Sequence, residues 1–179
     1  EGDGFIEVDG QKVLCKDGMR AATFIDKSTN NATVVFRGTG SAAEWHDNGE
    51  GGYLAETTQQ EAALAYINSL PDYAYLTATG HSKGGNKAQY VTIRSAKIDR
   101  CISFDGQGFS NEFITKYEEE IKANRHKITS ISAANDFVNC LLYSIAGKQL
   151  YIETLSEGKD FLRYHAPDIM LKIRKNDFQ

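Results

Sequence analysis

Thr79-Gly80-His81-Ser82-Lys83-Gly84-Gly85-Asn86 lies between a stretch that reads as a strand, Ala74 to Thr79, and one that reads as a helix, Gly85 to Ala96. A chain passing from strand to helix in so few residues must turn sharply, and the residue at the apex is held in a strained backbone conformation. Small neighbours are needed there, because side chains on either side would run into the strand or the helix. Gly80 and Gly84 flank Ser82 at the required spacing. The other reading of the stretch is a tight packing turn in which Ser82 caps the helix by accepting from its first amides. That reading accounts for one serine and for none of the features below.

Outward from this turn the pattern alternates. A helix from Thr57 to Leu70 precedes it, with Ala62, Leu64, Ala65, Ile67 and Leu70 at helical spacing, Thr58 and Glu61 as a capping box, and Pro71 as the stop. Strand Cys101 to Phe104, helix Ser110 to Asn124, strand Ile128 to Ser132, helix Phe137 to Ile145 and strand Gln149 to Thr154 follow. Strand and helix in turn predict a mainly parallel sheet flanked by helices. The N-terminal part differs. Phe5 to Val8 and Val13 to Cys15 flank the Asp9-Gly10 turn signal and read as an antiparallel hairpin, and Ala21 to Ile25 and Thr33 to Phe36 read as two further strands. The expected class is α/β, of the α/β-hydrolase type.

In such sheets the chemistry sits on loops at the carboxyl ends of the strands. A serine hydroxyl is a poor nucleophile unless a neighbouring base takes its proton, and that base is usually a histidine oriented by a carboxylate. The chain order in this fold is nucleophile, acid, histidine. His46 precedes Ser82, His81 adjoins it in sequence and is expected to aim elsewhere, and His126 stands at a polar helix end, which leaves His165 in the loop after the last strand. Two acids follow strands at the correct edge: Asp136 after the Ile128 strand and Asp105 after the Cys101 strand. Asp136 follows the penultimate strand and is preferred on topology; Asp105, in Asp105-Gly106-Gln107-Gly108, is read as shaping a turn or lining the pocket. Acyl transfer also needs amide donors for the developing oxyanion. The backbone N–H of Lys83 supplies one, and the Arg37-Gly38-Thr39 loop supplies a candidate second in the N–H of Thr39.

These residues carry a resemblance. Val34-Val35-Phe36-Arg37-Gly38-Thr39, the following Trp45 and Asp47, and the stretch from Thr79 to Asn86 resemble the class 3 lipase family. More closely, GHSKGGN followed by Phe104-Asp105-Gly106-Gln107-Gly108-Phe109 resembles a bacterial lipase-related family of unknown function, over about Ala21 to Asp168. The resemblance implies a triad of Ser82, Asp136 and His165, oxyanion donors at Thr39 and Lys83, and an ester substrate, often a lipid. It also implies a secreted or surface-exposed parent protein, and transient contact with a membrane or lipid surface is compatible with such a substrate. Lys83 stands where many lipases carry Leu, and Ser41 to Tyr53 is polar and glycine-rich in place of an apolar lid helix, which speaks against interfacial activation on bulk triglyceride.

Bulk composition sets the outer limits. One domain over residues 1–179, excised from a longer protein, is expected from 41% hydrophobic content, sixteen glycines, two prolines and no low-complexity tract. A net charge of −4 argues against a nucleic-acid partner, which would require clustered Lys and Arg. Cys15, Cys101 and Cys140 are too widely spaced for a zinc framework and read as idle thiols, and neither a metal nor an organic cofactor is implied. Phe113, Tyr117 and Ile121 form a stripe that is expected to face the core, and Tyr53, Tyr73, Tyr75, Tyr143, Tyr151 and Tyr164 are expected to pack. Two rivals stand beside ester hydrolysis: a thioesterase, amidase or other acyl transferase using the same triad, and a catalytically silent interaction domain of a larger protein.

Overall fold

The computed structural model describes residues 19–38, 55–154 and 165–166 in full, and 5–8 and 11–14 by their backbone. Strands β1 (Phe5–Val8) and β2 (Gln11–Leu14) pair antiparallel as the N-terminal hairpin, with Val8 opposite Gln11 and Phe5 opposite Leu14. A six-stranded sheet follows in the spatial order β3 (Ala21–Asp26), β4 (Asn31–Phe36), β5 (Tyr75–His81), β6 (Arg100–Phe104), β7 (Ile128–Ala133) and β8 (Lys148–Ile152). The β3 and β4 strands pair antiparallel through the polar turn at 27–30; every other neighbour pair is parallel. This is the mainly parallel α/β sheet, with an antiparallel hairpin ahead of it, that the pattern predicts.

Strand order equals chain order from β3 to β8, so each crossover steps one strand in the same direction, and right-handed crossovers then place their helices on one face. Helix α2 (Lys83–Arg94) lies across β4, β5 and β6 there, with α1 (Thr58–Ser69) on one side and α4 (Glu118–Asn124) on the other. Side-chain alternation follows from this. Ala32, Val34 and Phe36, Leu76 and Ala78, Cys101, and Ile128 are buried under the helices, whereas Val35 and Tyr75 point away and are exposed. Phe113, Tyr117 and Ile121 join the same core, as their stripe predicts. Tyr75, Tyr143 and Tyr151 do not: all three are exposed.

Helix boundaries depart from expectation where side chains compete for backbone donors. The capping box is Thr57 with Gln60, one residue earlier than predicted, and the buried face of α1 is Gln59, Gln60, Ala63, Tyr66 and Ile67. The single helix expected from Ser110 to Asn124 is two, α3 (Asn111–Lys116) and α4, broken at Tyr117, whose φ and ψ of −117° and 28° are not helical. The helix expected from Phe137 to Ile145 does not form. Only a 3₁₀ turn, Val138–Cys140, is present, because the Asp136 carboxylate accepts the Val138 N–H and the chain then bridges to Phe109 through Tyr143.

Candidate active site

Ser82 stands between the last residue of β5 and the first of α2 at φ 58° and ψ −126°, a region L-residues rarely enter. It occupies the cap position of α2, yet its hydroxyl makes no capping hydrogen bond. The strain is held by neighbours: Ser82 N–H donates to the Phe104 carbonyl on β6 at 2.9 Å, and the Asn86 N–H donates to the Ser82 carbonyl. The flanking glycines are demanded by packing. A Cβ at Gly80 would come within 2.6 Å of the Phe36 carbonyl oxygen, and one at Gly84 would overlap the same carbonyl. The end of β4, the end of β5 and the start of α2 thus meet backbone to backbone.

That contact brings the loop after β4 to the serine. A Cβ on Gly38 would stand 2.9 Å from the His81 carbonyl oxygen and 3.4 Å from Ser82 Cβ, so Arg37-Gly38 passes directly beside Ser82. Lys87, fully buried in α2, donates from Nζ to the Arg37 carbonyl and ties this loop to the helix. Lys83 opens α2, at the end where the helix dipole favours negative charge. Thr39 lies outside the described residues, as do Cys15, Trp45, Asp47, Tyr53 and Tyr164. A second set of bonds anchors α2 to the β6 loop: Asn86 donates to the Gln107 and Gly108 carbonyls and accepts from Gln60, and Gln89 donates to Ser103.

At the end of β7, Asp136 turns back on the strand through its N–H to the Ala133 carbonyl. Its Oδ1 accepts from Val138, and its Oδ2 stands 3.0 Å from His165 Nδ1. Burial raises the Asp136 pKa, but the hydrogen bonds from His165 and the backbone of Val138 outweigh it and hold the carboxyl below its ordinary range. The group is ionised at neutral pH. An ionised partner on Nδ1 fixes the tautomer that leaves Nε2 as a base. Among the described residues, His165 Nε2 is buried and makes no hydrogen bond to Ser82 or to any other group.

Asp105 is a different acid. It sits at φ 44° at the end of β6 with its side chain fully buried. Its Oδ1 accepts the Ala133 N–H at 2.7 Å and the Asn139 amide at 3.4 Å, which laces β6 to β7. Burial, aided by the charge of Asp136, raises its pKa to about 6. Its Oδ2 faces His81 Nε2 at 3.9 Å, too long for a hydrogen bond, and neither atom has a hydrogen-bond partner among the described residues.

His81 is the group the sequence reading passed over. Adjacency to Ser82 was expected to aim it elsewhere, but its ring lies 4.7 Å from that of His165, inside the site. The signal was the β5 alternation: His81 shares the open face with Tyr75, Thr77 and Thr79, and that face leads to the strand ends where His165 and Asp105 gather. Burial first, and the charge of His165 second, lower its pKa to about 4, so it is neutral at pH 7. A cleft bordered by Gln89, Ser130, Ser132, Asn139 and Tyr151 opens elsewhere and contains none of Ser82, Asp136 and His165. Cys101 is buried and its thiol is pushed up to about 12 by burial, in keeping with an idle role, whereas Cys140 is exposed. Among the described residues, no helix is long and apolar enough to cross a membrane.

Among solved structures the chain is similar to the Lip2 lipase of Yarrowia lipolytica, with 14% identity and a TM-score of 0.49 over 76% of this chain and 61% of that one. It is also similar to the triacylglyceride lipase of Rhizomucor miehei, with 14% identity and a TM-score of 0.46 over 75% and 58%. A triacylglycerol lipase of Penicillium expansum gives 15% identity and 0.47 over 77% and 66%. The chain therefore spans less than two thirds of the length of these lipases. No curated protein matches it in sequence. A family model does match, over residues 11–176, and on that extent the chain belongs to the Mbeg1-like family, a lipase-like family.

Proposed function

We propose that this protein is a serine hydrolase of carboxylic esters, with Ser82 as nucleophile, His165 as general base and Asp136 as the orienting acid. The observation that carries the reading is the backbone of Ser82: a strained apex at φ 58°, above the sheet, with a hydroxyl the helix does not use as a cap. Proteins retain such strain where it positions a reacting group. A cap role would have occupied the hydroxyl.

In the reaction, Ser82 Oγ attacks the ester carbonyl carbon while His165 Nε2 takes the hydroxyl proton, and the imidazolium is balanced by ionised Asp136. The oxyanion is received by the backbone N–H of Lys83 and, on the lipase resemblance, that of Thr39. The alcohol leaves with the proton from Nε2, and water then attacks the acyl-enzyme with His165 again as base. The missing hydrogen bond between Ser82 and His165 fits a site at rest, because such bonds often tighten only around substrate. A lipid or other small ester is the substrate class that the lipase-like family supports.

The test is labelling by a serine-directed fluorophosphonate, followed by hydrolysis of p-nitrophenyl esters from short to long acyl chains, each beside folded Ser82→Ala. Serine-dependent labelling and turnover are expected. An unlabelled wild type would transfer the reading to a silent interaction domain, and labelling with turnover of thioesters alone would transfer it to a thioesterase.

A further inference from the structure

His81, Asp105 and His165 each offer a ligating atom, and those three atoms lie within 4.8 Å of one another. We propose that this trio binds a divalent transition cation of the zinc class, and that the bound ion holds the hydrolase inactive by engaging His165. The inhibition rests on the serine-hydrolase reading; the binding does not.

Three buried atoms carry the argument. Among the described residues, His81 Nε2, Asp105 Oδ2 and His165 Nε2 are all without a hydrogen-bond partner. A buried polar atom left unpaired is costly, and native proteins keep few of them without a reason. Asp105 is the most telling, since its side chain is fully buried and Oδ1 satisfies two donors while Oδ2 is left facing an imidazole nitrogen. One ion would satisfy all three side chains at once.

The spacing is close to what an ion needs. With metal–ligand bonds of about 2.0–2.2 Å, ligand atoms in a tetrahedral shell are about 3.3 Å apart, and two imidazoles on one ion have ring centroids about 5 Å apart. Here His81 Nε2 and Asp105 Oδ2 are 3.9 Å apart and the two rings 4.7 Å apart. All three ligand atoms lie within 4.8 Å of one another, so binding requires the two imidazoles to draw in toward Asp105. Two imidazoles and one carboxylate suit zinc and its neighbours, whereas magnesium and calcium favour all-oxygen shells. Supporting contacts are also present. Asp136 holds Nδ1 of His165, which directs Nε2 outward as in carboxylate–histidine–zinc arrangements, and Ala133 and Asn139 hold the other oxygen of Asp105. Ser82 adjoins His81, and Phe137 packs near His165 at 6.1 Å between centroids. An imidazole nitrogen bound to the ion has no lone pair for the serine proton, so occupation and catalysis exclude each other.

The test is calorimetric titration of the full chain, freed of metal by chelation, with zinc chloride at pH 7.5, for wild type, Asp105→Asn and His81→Gln. Asp105→Asn keeps an oxygen for Ala133, and a cooperative urea transition confirms that either variant is folded. One saturable site per chain is expected in wild type, weakened at least tenfold in both variants. Zinc should block fluorophosphonate labelling of wild type, EDTA should restore it, and Asp105→Asn should be labelled at the zinc concentration that protects wild type. Absence of a saturable site, or equal affinity in wild type and Asp105→Asn, overturns the ion site. If zinc binds as expected but the chelated protein is never labelled, the binding site stands and the hydrolase reading fails. If the chelated protein is labelled but binds zinc no better than its variants, the reverse holds.

Discussion

The loops after β6 and β7 each deliver a buried aspartate to the same edge of the sheet and pair it with a histidine, yet the two pairs behave in opposite ways. Asp136 meets His165 at 3.0 Å and is held ionised; Asp105 faces His81 at 3.9 Å with an unpaired oxygen and an elevated pKa. The residue types are the same, so environment sets the difference. Hydrogen bonds on both oxygens offset the burial of Asp136, whereas Asp105 uses one oxygen to lace two strands and its other oxygen is buried with no partner among the described residues. Neighbouring acids pushed apart in this way take different roles. The ionised one can orient a base, and the other can hold a proton or accept a cation.

The largest effect should come from the groups that only the Asp136 pair serves. Ser82→Ala and His165→Ala are each expected to reduce kcat for a p-nitrophenyl ester by roughly four to six orders of magnitude, with the double variant little worse than either. Additive losses would show that the two do not act together. Next comes the comparison itself. Asp136→Asn should cost about ten-thousand-fold in kcat, because the amide favours the wrong imidazole tautomer, while Asp105→Asn, which keeps an oxygen for Ala133, should cost less than about tenfold. Equal losses, or a larger one at Asp105, would reverse the assignment of the acid.

The serine turn between strand and helix rests on a close glycine contact. Gly84→Ala should destabilise the fold by about 3 kcal/mol or more, since its Cβ would overlap the Phe36 carbonyl and backbone must move to admit it. Urea denaturation would measure this, and a wild-type midpoint would show that the close approach of β4, β5 and α2 is not required.

The smallest effect sharpens the contrast by its sign. Asp105 has a folded pKa of about 6 against an ordinary 3.8, so wild-type stability should fall as pH rises through that window and level off above it. Asp105→Asn lacks this fall, and its stability relative to wild type should therefore increase between about pH 4 and 6. Asp136 is lowered, so its contribution is present at neutral pH and is lost on acidification; Asp136→Asn should be less stable than wild type at pH 7, with the gap closing in acid. Urea midpoints of the three proteins across pH would show both trends. Curves parallel to wild type would mean that neither acid changes its pKa on folding.

Local chemistry made much of this legible. The strands from Ala21 to Phe36, the strand-turn-helix around Ser82 and the helical stripe of Phe113, Tyr117 and Ile121 could be read because their signals are short-range: alternation, turn residues, periodicity. The helix expected after Asp136 failed because its carboxylate and the Phe109 backbone took the segment's hydrogen bonds, and the second of those partners is distant in sequence. The break at Tyr117 falls inside an unbroken apolar stripe, so the pattern carried no sign of it.

By itself, then, the sequence determined the alternating order of strands and helices, the glycine-flanked serine, and the short set of acids and histidines that could serve it. Tertiary structure alone decided which aspartate meets His165, that His81 belongs with them, and that Asp105 is left with an unpaired oxygen. The physical reason is distance along the chain. Asp105, Asp136 and His165 come from separate loops, and their charge states depend on burial and on partners that exist only once parallel strands have brought those loops to one edge.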